Sequence, residues 1–234
     1  MNSLNNIAII PARGGSKRIP RKNIKDFFGK PIIAHSIQTA LESKLFSEVM
    51  VSTDDDEIAE IAMKYGATVP FIRSDKTSDD FATTVDVIKE VLLNYELREV
   101  FFGNVCCFYP CAPFVTSDKL KDSFQLLEEK KFDAVFPVIP FNYPIQRALR
   151  LKNEKLTYFQ PEFALNRSQD LEKAYQDAGQ FYWFSTNSFK ESEKIVTDNC
   201  GAIIISELEA QDIDNETDWK LAEVKFQLLQ QNSK

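Results

Sequence analysis

The sequence contains little histidine and little cysteine. Its 234 residues include one histidine, His35, and four cysteines, at positions 106, 107, 111 and 200. The cysteine spacing matches neither a zinc motif nor a Cys-x-x-Cys redox pair. Three of the four cysteines fall in one apolar segment, where free thiols act as small hydrophobic side chains. His35 lies far from every motif described below, so we expect a structural role for it rather than a role as a general base.

Long hydrophobic runs are also absent, although 44% of the residues are hydrophobic. No run approaches the roughly 18 apolar residues that a membrane span needs. Residues 1–6 lack the basic and hydrophobic regions of an export signal, so we expect a cytoplasmic protein. The net charge of −7 argues against general nucleic-acid binding, because such binding depends on neutralising phosphates. We therefore expect neither a membrane nor a nucleic acid among the partners.

Positive charge is concentrated in one stretch near the N-terminus. Residues 13–30 contain seven basic residues and one acidic residue, a net charge of +6 that leaves −13 for the rest of the chain. Within it, Gly14 and Gly15 allow the backbone to turn sharply and to present N–H groups to an anion. The spacing is neither that of a Walker loop nor that of a Gly-x-Gly-x-x-Gly dinucleotide loop. This stretch predicts a binding site for a small polyanion.

Short apolar segments alternate with amphipathic segments along most of the chain. Asn6–Pro11 is predicted to be a buried first strand that ends in the basic loop. Strands that alternate with helices indicate right-handed crossovers and a mostly parallel sheet that is covered on both faces. We therefore predict a doubly wound, Rossmann-like α/β fold in one domain over residues 1–234. Further strands are predicted at 48–53, 69–72, 104–109, 134–138, 180–184 and 202–206, and helices at 31–44, 54–65, 83–97 and 117–131 and from residues 186 and 216.

The alternation stops between about residues 140 and 179. This segment is rich in proline and aromatic residues, and it contains a predicted hairpin with strands at 148–151 and 155–159 around a turn at Asn153. We interpret the segment as a small insertion that supplies substrate contacts or a subunit interface.

The basic loop and several shorter motifs resemble one enzyme family. IPARGGSKRIPRKNI at residues 10–24 is similar to the first loop of the cytidylyltransferases that activate sialic acid and related nonulosonic acids. GKPI at 29–32, VSTD at 51–54 and Ile213-Asp214 match further motifs, and the resemblance covers nearly the whole chain. It implies a nucleotidyltransferase that joins CMP from CTP to an acidic nine-carbon sugar and releases pyrophosphate. It also implies a homodimer with the insertion at the interface.

The resemblance assigns the CTP contacts mainly to the basic loop. Lys22 is expected on the phosphates and Asn23 nearer to the nucleoside, and Arg73 is expected to contact a phosphate. The residues implied for CTP are Arg13, Gly14, Gly15, Ser16, Lys22, Asn23 and Arg73.

Asp212 and Asp214 are the predicted metal ligands. Side chains alternate along an extended segment, so these two carboxylates point to the same side. Two carboxylates suit Mg²⁺, or Mn²⁺ in its place, with substrate oxygens and water as the other ligands. We expect the metal to acidify the anomeric hydroxyl for attack on the α-phosphate while Lys22 stabilises the developing charge. An alternative for Asp214 is a capping role at the last helix, and residues 54–56 are interpreted as a helix start.

The acceptor site is predicted from the runs around Tyr109 and beyond residue 136. Tyr109 and Cys111 stand where sialate enzymes carry glutamine and threonine on either side of a proline, which argues against N-acetylneuraminic acid. The runs at 136–149 and 176–184 look more like family members that act on pseudaminic acid. We expect Gln180 and Tyr182 of the second run near the sugar, although residues 181–183 must also supply core side chains.

Two arginines are candidates for binding the carboxylate of the sugar. Arg167 matches the family's residue for this role, and its planar guanidinium suits a carboxylate. Arg147 is the second candidate, and either arginine has a surface or interface ion pair as its alternative role.

We therefore predict a CTP- and metal-dependent cytidylyltransferase that acts on pseudaminic acid. Acceptors that remain as alternatives are N-acetylneuraminic acid and legionaminic acid. A non-catalytic nucleotide-binding relative is disfavoured because Lys22 and both aspartates are present. A metal-dependent glycosyltransferase is disfavoured because its Asp-x-Asp motif lies in the middle of the sheet, whereas here the motif lies near the end of the chain.

Overall fold

Between residues 6 and 140, each strand is followed by one or more helices before the next strand begins. The computed structural model describes residues 5–232. The expectation that residues 1–6 lack an export signal therefore falls mostly on residues outside the described range. The strands are β1 (Asn6–Pro11), β2 (Glu48–Ser52), β3 (Asn104–Phe108), β4 (Ala134–Pro140), β5 (Leu149–Lys152), β6 (Lys155–Tyr158), β7 (Tyr175–Asp177), β8 (Phe181–Ser185) and β9 (Cys200–Ile204). The helices are α1 (Ile32–Ser43), α2 (Asp56–Lys64), α3 (Asp75–Ser78), α4 (Thr84–Glu96), α5 (Ser117–Lys130), α6 (Thr186–Ser192) and α7 (Glu216–Asn232). In this described part of the chain, no helix is long and apolar enough to span a membrane.

Within residues 5–232, seven strands form one central sheet in the order β2-β1-β3-β8-β4-β7, with β9 paired to β4. β1 pairs in parallel with β2 and with β3, and β4 pairs in parallel with β9. β8 is antiparallel to both β3 and β4, and β7 is antiparallel to β4. Most strands of the sheet therefore run in one direction, and β7 and β8 oppose them. The predicted α/β fold with a mostly parallel sheet is confirmed.

Apolar side chains cover both faces of this sheet. Ala8 and Ile10 of β1 belong to a buried cluster that includes residues of α1, α2 and α5. Ile7 and Ile9 point the other way, into a cluster that includes residues of α4 and α6. Because successive side chains of a strand face opposite sides, a strand buried on both faces needs helices on each side.

The histidine and two of the cysteines are packed inside the fold. His35 of α1 is buried, and its Nε2 lies 2.9 Å from the carbonyl oxygen of Phe27. Cys106 and Cys107 of β3 are free thiols with no exposed surface. These positions agree with the structural roles expected for them.

Most predicted elements agree with the structure to within one or two residues at each end, and three differences bear on the fold. The strand predicted at 69–72 is wrong, because β2 pairs there through a single bridge between Met50 and Thr68 and the next residues are irregular. Pro70 has no backbone N–H and so removes a donor that a strand needs. Helix α2 begins at Asp56, with Asp55 as its N-cap, rather than at residue 54. The strand predicted at 202–206 covers 200–204 instead.

Residues 141–174 leave the central sheet. β5 and β6 form an antiparallel hairpin whose turn contains Asn153 and Glu154, with φ angles of 49° and 62°. Most of the hairpin is exposed, and β7 then returns the chain to β4. The hairpin predicted from the sequence is therefore present.

The carboxyl ends of β1, β2 and β3 lie side by side at one edge of the sheet. The parallel register pairs Pro11 with Ser52 and Ile9 with Cys107. The loops that follow these strands therefore emerge together, at the edge where α/β sheets bind their ligands.

Candidate active site

A cavity of about 400 Å³ opens at this edge of the sheet. Its walls come from the basic loop after β1, the loop after β3, and the segment between β9 and α7. Lys22 and Ile213 are 191 positions apart in sequence, yet Lys22 Nζ donates to Ile213 O at 2.7 Å across the cavity. The lining residues are Pro11, Arg13, Ser16, Lys17, Arg18, Ile19, Lys22, Asn23, Tyr109, Pro110, Cys111, Gly179, Gln211, Asp212, Ile213 and Asp214.

Carboxylates from the loop after β2 support the glycine pair of the basic loop. The backbone N–H of Gly14 donates to Asp54 Oδ1 at 2.9 Å, and the N–H of Ser16 donates to Gly14 O at 3.0 Å. A Cβ atom at Gly14 would lie 2.7 Å from Asp55 Oδ2, whereas one at Gly15 would meet no atom within 4 Å. Gly14 is therefore required for a close approach to Asp55.

Two cations of the loop share one carboxylate. Arg13 Nη1 lies 3.1 Å from Asp80 Oδ1, and Lys17 contacts Oδ2 of the same side chain. The hydrogen bond from Lys17 and the charges of both cations hold the pKa of Asp80 below its ordinary value. Exposed pairs of this kind contribute little to stability. Arg13 and Lys17 are therefore paired with an exposed carboxylate that adds little to stability.

Arg21 connects the basic loop to helix α2. Its φ angle is 55°, and its guanidinium donates to both oxygens of Asp55, at 2.5 and 2.9 Å. Asp55 also accepts a hydrogen bond from Ile58 N–H at 3.0 Å, which caps α2. The hydrogen bonds from Arg21 hold the pKa of Asp55 below its ordinary value. Because Arg21 directly precedes Lys22, this pair fixes where Lys22 leaves the loop.

Asn23 ties the basic loop to the loop after β3. It is buried, and its Nδ2 donates to Arg13 O at 3.0 Å. Its Oδ1 accepts from Cys111 Sγ at 3.4 Å. Burial raises the pKa of Cys111 to about 12, although nearby Lys22 opposes the shift, so the thiol is neutral at physiological pH.

Asp212 and Asp214 face the cavity on either side of a buried isoleucine. Ile213 is 2% exposed, while both aspartates line the cavity. Asp214 Oδ1 forms an ion pair with Arg18 Nη2 at 2.7 Å. Burial raises the pKa of Asp212, the charge of Asp214 raises it further, and Lys22 opposes both. The alternation predicted for this Asp-Ile-Asp run is therefore present.

Asn215, rather than Asp214, caps the last helix. Asn215 Oδ1 accepts from the N–H groups of Thr217 and Asp218, at 2.8 and 3.1 Å. Asp218 in turn accepts from the backbone N–H of Asp214 at 2.9 Å. The side chain of Asp214 is thus directed to the cavity and to Arg18, and the capping alternative does not describe it.

A second cavity of about 260 Å³ adjoins the first and shares Pro11, Arg13 and Tyr109 with it. Arg73 lines this second cavity and is 6% exposed. Its guanidinium donates to the hydroxyl and the carbonyl oxygen of Ser52, at 3.0 and 2.5 Å. Burial lowers the pKa of Arg73, but a guanidinium stays charged in proteins. Arg73 therefore presents a buried positive charge next to the basic loop.

Gln180 and Tyr182 lie behind the cavity wall rather than on its surface. Gln180 Nε2 donates to Glu209 O at 2.5 Å, and the Tyr182 hydroxyl donates to Asp177 Oδ2 at 2.7 Å. The Tyr182 ring packs edge-on against Tyr109 with a centroid separation of 5.6 Å. Both side chains are buried, and the Tyr182 ring packs against a residue, Tyr109, that lines the cavity.

Arg147 and Arg167 line neither of the two cavities. Arg167 pairs with Asp170 at 2.8 Å, and its side chain is 72% exposed. Arg147 Nη1 lies 3.4 Å from Ser168 Oγ and is also exposed. Both belong to the segment that leaves the central sheet, so within one chain the structure does not bring them to the other predicted site residues.

The acidic residues that hold the loop were not predicted from the sequence. Residues 54–56 indicate a helix start, and Asp55 does cap α2, but Asp54 and Asp55 also bind the loop itself. The signal in the sequence was the row of three aspartates just after β2. If β2 lies next to β1 in the sheet, the loops after the two strands are neighbours, and these aspartates would then lie near the basic loop. Asp80 had no comparable signal, because its proximity to Arg13 and Lys17 arises from tertiary structure.

Comparison with known proteins agrees with the family that the sequence motifs resemble. A sequence model of the cytidylyltransferase family matches residues 7–206. The chain belongs to this family. This cytidylyltransferase is 40% identical over 226 residues to the pseudaminic acid cytidylyltransferase of Campylobacter jejuni, which covers 96% of this chain and 97% of that protein. It is 30% identical over 232 residues to a CMP-N,N'-diacetyllegionaminic acid synthase of Legionella pneumophila, covering 96% and 97% of the two chains.

A solved structure supports the fold assignment. CMP:2-keto-3-deoxy-manno-octonic acid synthetase in complex with CTP superposes with a TM-score of 0.68 at 16% sequence identity, covering 97% of this chain and 99% of that chain. At this identity the likeness concerns the fold. The predicted Rossmann-like nucleotidyltransferase architecture of this cytidylyltransferase is confirmed.

Proposed function

We propose that this cytidylyltransferase transfers CMP from CTP to the anomeric hydroxyl of pseudaminic acid and releases pyrophosphate. The observation that carries the proposal is the cavity that joins the basic loop to the acidic pair. Lys22 Nζ bonds Ile213 O at 2.7 Å, between the two aspartates. A phosphate group bound in this cavity would therefore meet cationic side chains and carboxylate ligands for a cation at the same time.

The polyphosphate is assigned to the basic loop. Arg13, Lys17 and Lys22 all line the cavity, as does Ser16, and the loop backbone follows the C-terminal end of β1. Arg73 lies in the adjoining cavity, which shares Arg13 with the first. A nucleotide held at the loop would therefore reach both cavities. This arrangement supports CTP contacts by Arg13, Ser16, Lys22 and Arg73, with Asn23 acting through the bonds that fix the loop. Gly14 and Gly15 line neither cavity, and the Gly14 N–H donates to Asp54, so these two glycines are assigned to the shape of the loop.

We assign a divalent cation, Mg²⁺ or Mn²⁺, to Asp212 and Asp214. Burial and, to a smaller extent, the charge of Asp214 raise the pKa of Asp212, and a cation bound by both carboxylates, which line the same cavity, would favour the ionised form. Among residues 5–232, no group of three or more His, Cys, Asp and Glu side chains is placed to hold a metal. Two carboxylates are sufficient for Mg²⁺, which takes its other ligands from phosphate and water. The cation would supply neutralisation of charge on the phosphate oxygens.

The proposed reaction is an in-line displacement at the α-phosphorus. The anomeric oxygen forms a bond to phosphorus, the bond to the bridging oxygen of pyrophosphate breaks, and the hydroxyl proton leaves to solvent. Lys22 would donate hydrogen bonds to the phosphate oxygens on which charge develops. The hydrogen bond from Lys22 Nζ to Ile213 O places the ammonium group next to Asp212 and Asp214, where the phosphate would bind.

We also propose a homodimer formed through residues 141–174. This segment exposes several large apolar side chains: Tyr143 is 85% exposed, Leu151 70%, Leu156 63% and Leu165 97%. Exposed apolar side chains concentrated on one projecting segment favour a subunit interface. Analytical ultracentrifugation tests the dimer, and Leu151→Glu with Leu156→Glu should shift it to monomer. A wild-type chain that sediments as a monomer at micromolar concentration would contradict it.

The dimer would account for the positions of Arg147 and Arg167. The carboxylate of the acceptor needs a cation, and the cations that line the cavity are assigned above to the phosphates and to Asp214. Both arginines lie in the exposed segment, away from the cavity of their own chain. We therefore assign Arg167, with Arg147 as the second candidate, to the acceptor carboxylate in the other subunit's cavity.

Legionaminic acid and N-acetylneuraminic acid are the alternative acceptors for the same reaction. The higher identity to the pseudaminic acid enzyme of C. jejuni favours pseudaminic acid. Use of CTP is consistent with the cytoplasmic location expected from the sequence. A panel of the three sugars with CTP and Mg²⁺, followed by pyrophosphate release, would identify the acceptor.

Replacement of Lys22 tests the assignment of the site. Lys22→Met should lower turnover by roughly a hundredfold to a thousandfold, which is the typical cost of losing one preorganised donor to a developing charge. Lys64→Met is the matched control, because Lys64 is exposed on α2 and does not line the cavity. Wild-type protein that releases no pyrophosphate with any of the three sugars would refute the function. Normal turnover of Lys22→Met would refute the role of Lys22.

A further inference from the structure

The segment that carries the acidic pair is held in place largely by side chains from other elements. Residues 210–214 have neither helical nor strand structure. Their position relative to the basic loop therefore depends on individual contacts. One of these contacts comes from Lys225, a residue of α7 that none of the motifs described above includes.

Lys225 binds two carbonyl oxygens of this segment. Its Nζ donates to Ala210 O at 2.7 Å and to Glu207 O at 3.0 Å. The side chain is partly buried, and burial lowers the pKa of Lys225, which Glu207 opposes. An ammonium group that gives up part of its hydration in this way needs acceptors, and here main-chain carbonyls provide them. Ala210 is two residues before Asp212.

Two further contacts hold the beginning of the segment. Lys119 of α5 forms an ion pair with Glu209 at 2.8 Å, with side chains that are 14% and 30% exposed. Gln180 donates to Glu209 O. Both contacts act at residue 209, so among these side chains from other elements Lys225 reaches the residue closest in sequence to Asp212. Within the segment, Ala210 packs in a buried cluster with Ala178 and Ile205, and Gln211 Nε2 donates to Asp212 O at 3.0 Å. Between the two aspartates, Ile213 is buried in the core and Lys22 donates to its carbonyl oxygen.

We propose that Lys225 is a positioning residue for the acidic pair, acting through Ala210 and Glu207 on the place that Asp212 takes opposite Lys22. This inference rests on the proposed function. Lys225 does not line the cavity, so it would affect the reaction without touching a substrate. Displacement of a catalytic group by about 1 Å can cost on the order of a hundredfold in rate. The two carbonyl bonds made by Lys225 are the means by which α7 would prevent such a displacement.

The test replaces Lys225 by methionine, which keeps the length of the side chain and removes the donor. Lys220→Met is the control, because Lys220 lies on the same helix and is exposed. Hydrogen exchange of peptides covering residues 205–215 is measured first, on the protein alone. We expect exchange in Lys225→Met to be on the order of tenfold faster than in wild type or Lys220→Met, since two hydrogen bonds are lost.

The same variants are then assayed with CTP, the sugar accepted by wild type, and Mg²⁺. For Lys225→Met we expect kcat to fall on the order of tenfold and the half-saturating Mg²⁺ concentration to rise, with KM for CTP unchanged. Lys225→Arg should restore most of the rate, because a guanidinium also donates to carbonyl oxygens. Should Lys225→Met not fold, Lys225→Leu, which also lacks a donor, is used in its place.

Unchanged exchange in the donor-deficient variant would overturn the inference, because Lys225 would then not hold the segment. Faster exchange in Lys225→Met together with normal kcat and normal Mg²⁺ dependence would also overturn the inference. Lys225 would then hold the segment without affecting the reaction. If wild type itself transfers no CMP, the proposed function fails and the positioning role fails with it. In that case the exchange data still decide separately whether Lys225 holds the segment.

Discussion

Asp55 holds the basic loop and the start of helix α2 at the same time, and two substitutions separate these roles. Asp55→Asn keeps a side-chain oxygen that accepts from Ile58 N–H, because asparagine is about as good an N-cap as aspartate. It removes the negative charge and leaves one acceptor oxygen in place of two, so at most one of the two hydrogen bonds that Arg21 donates can remain. Asp55→Ala removes the cap as well as the charge.

The expected loss of stability follows from how exposed the pair is. A hydrogen bond to a charged group contributes roughly 1.5–3 kcal/mol when it is sheltered, while an exposed ion pair contributes about 0–1 kcal/mol. The side chains of Arg21 and Asp55 are 39% and 21% exposed, which is between these limits. We expect Asp55→Asn to lower the free energy of unfolding by about 1–2 kcal/mol. Asp55→Ala should lower it by about 1 kcal/mol more, the typical value of an N-cap.

The effect should depend on pH in one direction. The pKa of Asp55 is lower in the folded protein than its ordinary value, so the ionised carboxylate stabilises the fold. This contribution is fully present above the unfolded pKa of about 3.9, and it is lost as the pH falls through the folded pKa. The difference between wild type and Asp55→Asn should therefore be constant from pH 8 to pH 5 and should shrink below about pH 4.

Urea unfolding across this pH range measures the difference. Asp56→Asn is the control, because Asp56 is the next carboxylate in sequence, is exposed, and belongs to the same first turn of α2. We also expect KM for CTP to rise in Asp55→Asn, since Arg21 precedes Lys22. Equal urea midpoints for Asp55→Asn and Asp56→Asn at pH 7, or a difference that persists unchanged at pH 3.5, would refute the reasoning.

Two further predictions concern glycines. Gly14→Ala should raise KM for CTP by on the order of tenfold or more, because the added Cβ would lie 2.7 Å from Asp55 Oδ2. Gly15→Ala is the control and should have a smaller effect, because a Cβ there would meet no atom within 4 Å. Equal KM values for the two variants would contradict this prediction. Gly201→Ala should lower the free energy of unfolding by about 1–3 kcal/mol, because the added Cβ would overlap the ring of Phe132. Thermal unfolding of Gly201→Ala measures that loss, and an unchanged midpoint would show that the ring moves at no cost.

Local patterns in the sequence were enough to predict most of the fold. Apolar runs such as Asn6–Pro11 predicted the strands of the sheet, and the amphipathic segments between them predicted the helices. These predictions succeeded because each pattern depends only on residues that are close in sequence. The errors arose where local and tertiary preferences differ. The apolar residues around Pro70 resemble a strand, but the missing N–H prevents a ladder. The antiparallel direction of β8 was not encoded locally either, because strand direction follows from how the chain returns to the sheet.

The chemistry that each segment of the site can offer was evident from local sequence. The Arg-Gly-Gly-Ser-Lys loop provides cations and flexible amides, and Asp212 and Asp214 alternate around a buried isoleucine. The folded chain was needed to show that these segments share one cavity, that Asp54 and Asp55 hold the loop, and that Arg167 lies away from it within its own chain. The physical reason is that side-chain periodicity acts over a few residues, whereas the contact between Lys22 and Ile213 spans 191 positions and exists only once the sheet has brought its strand ends together.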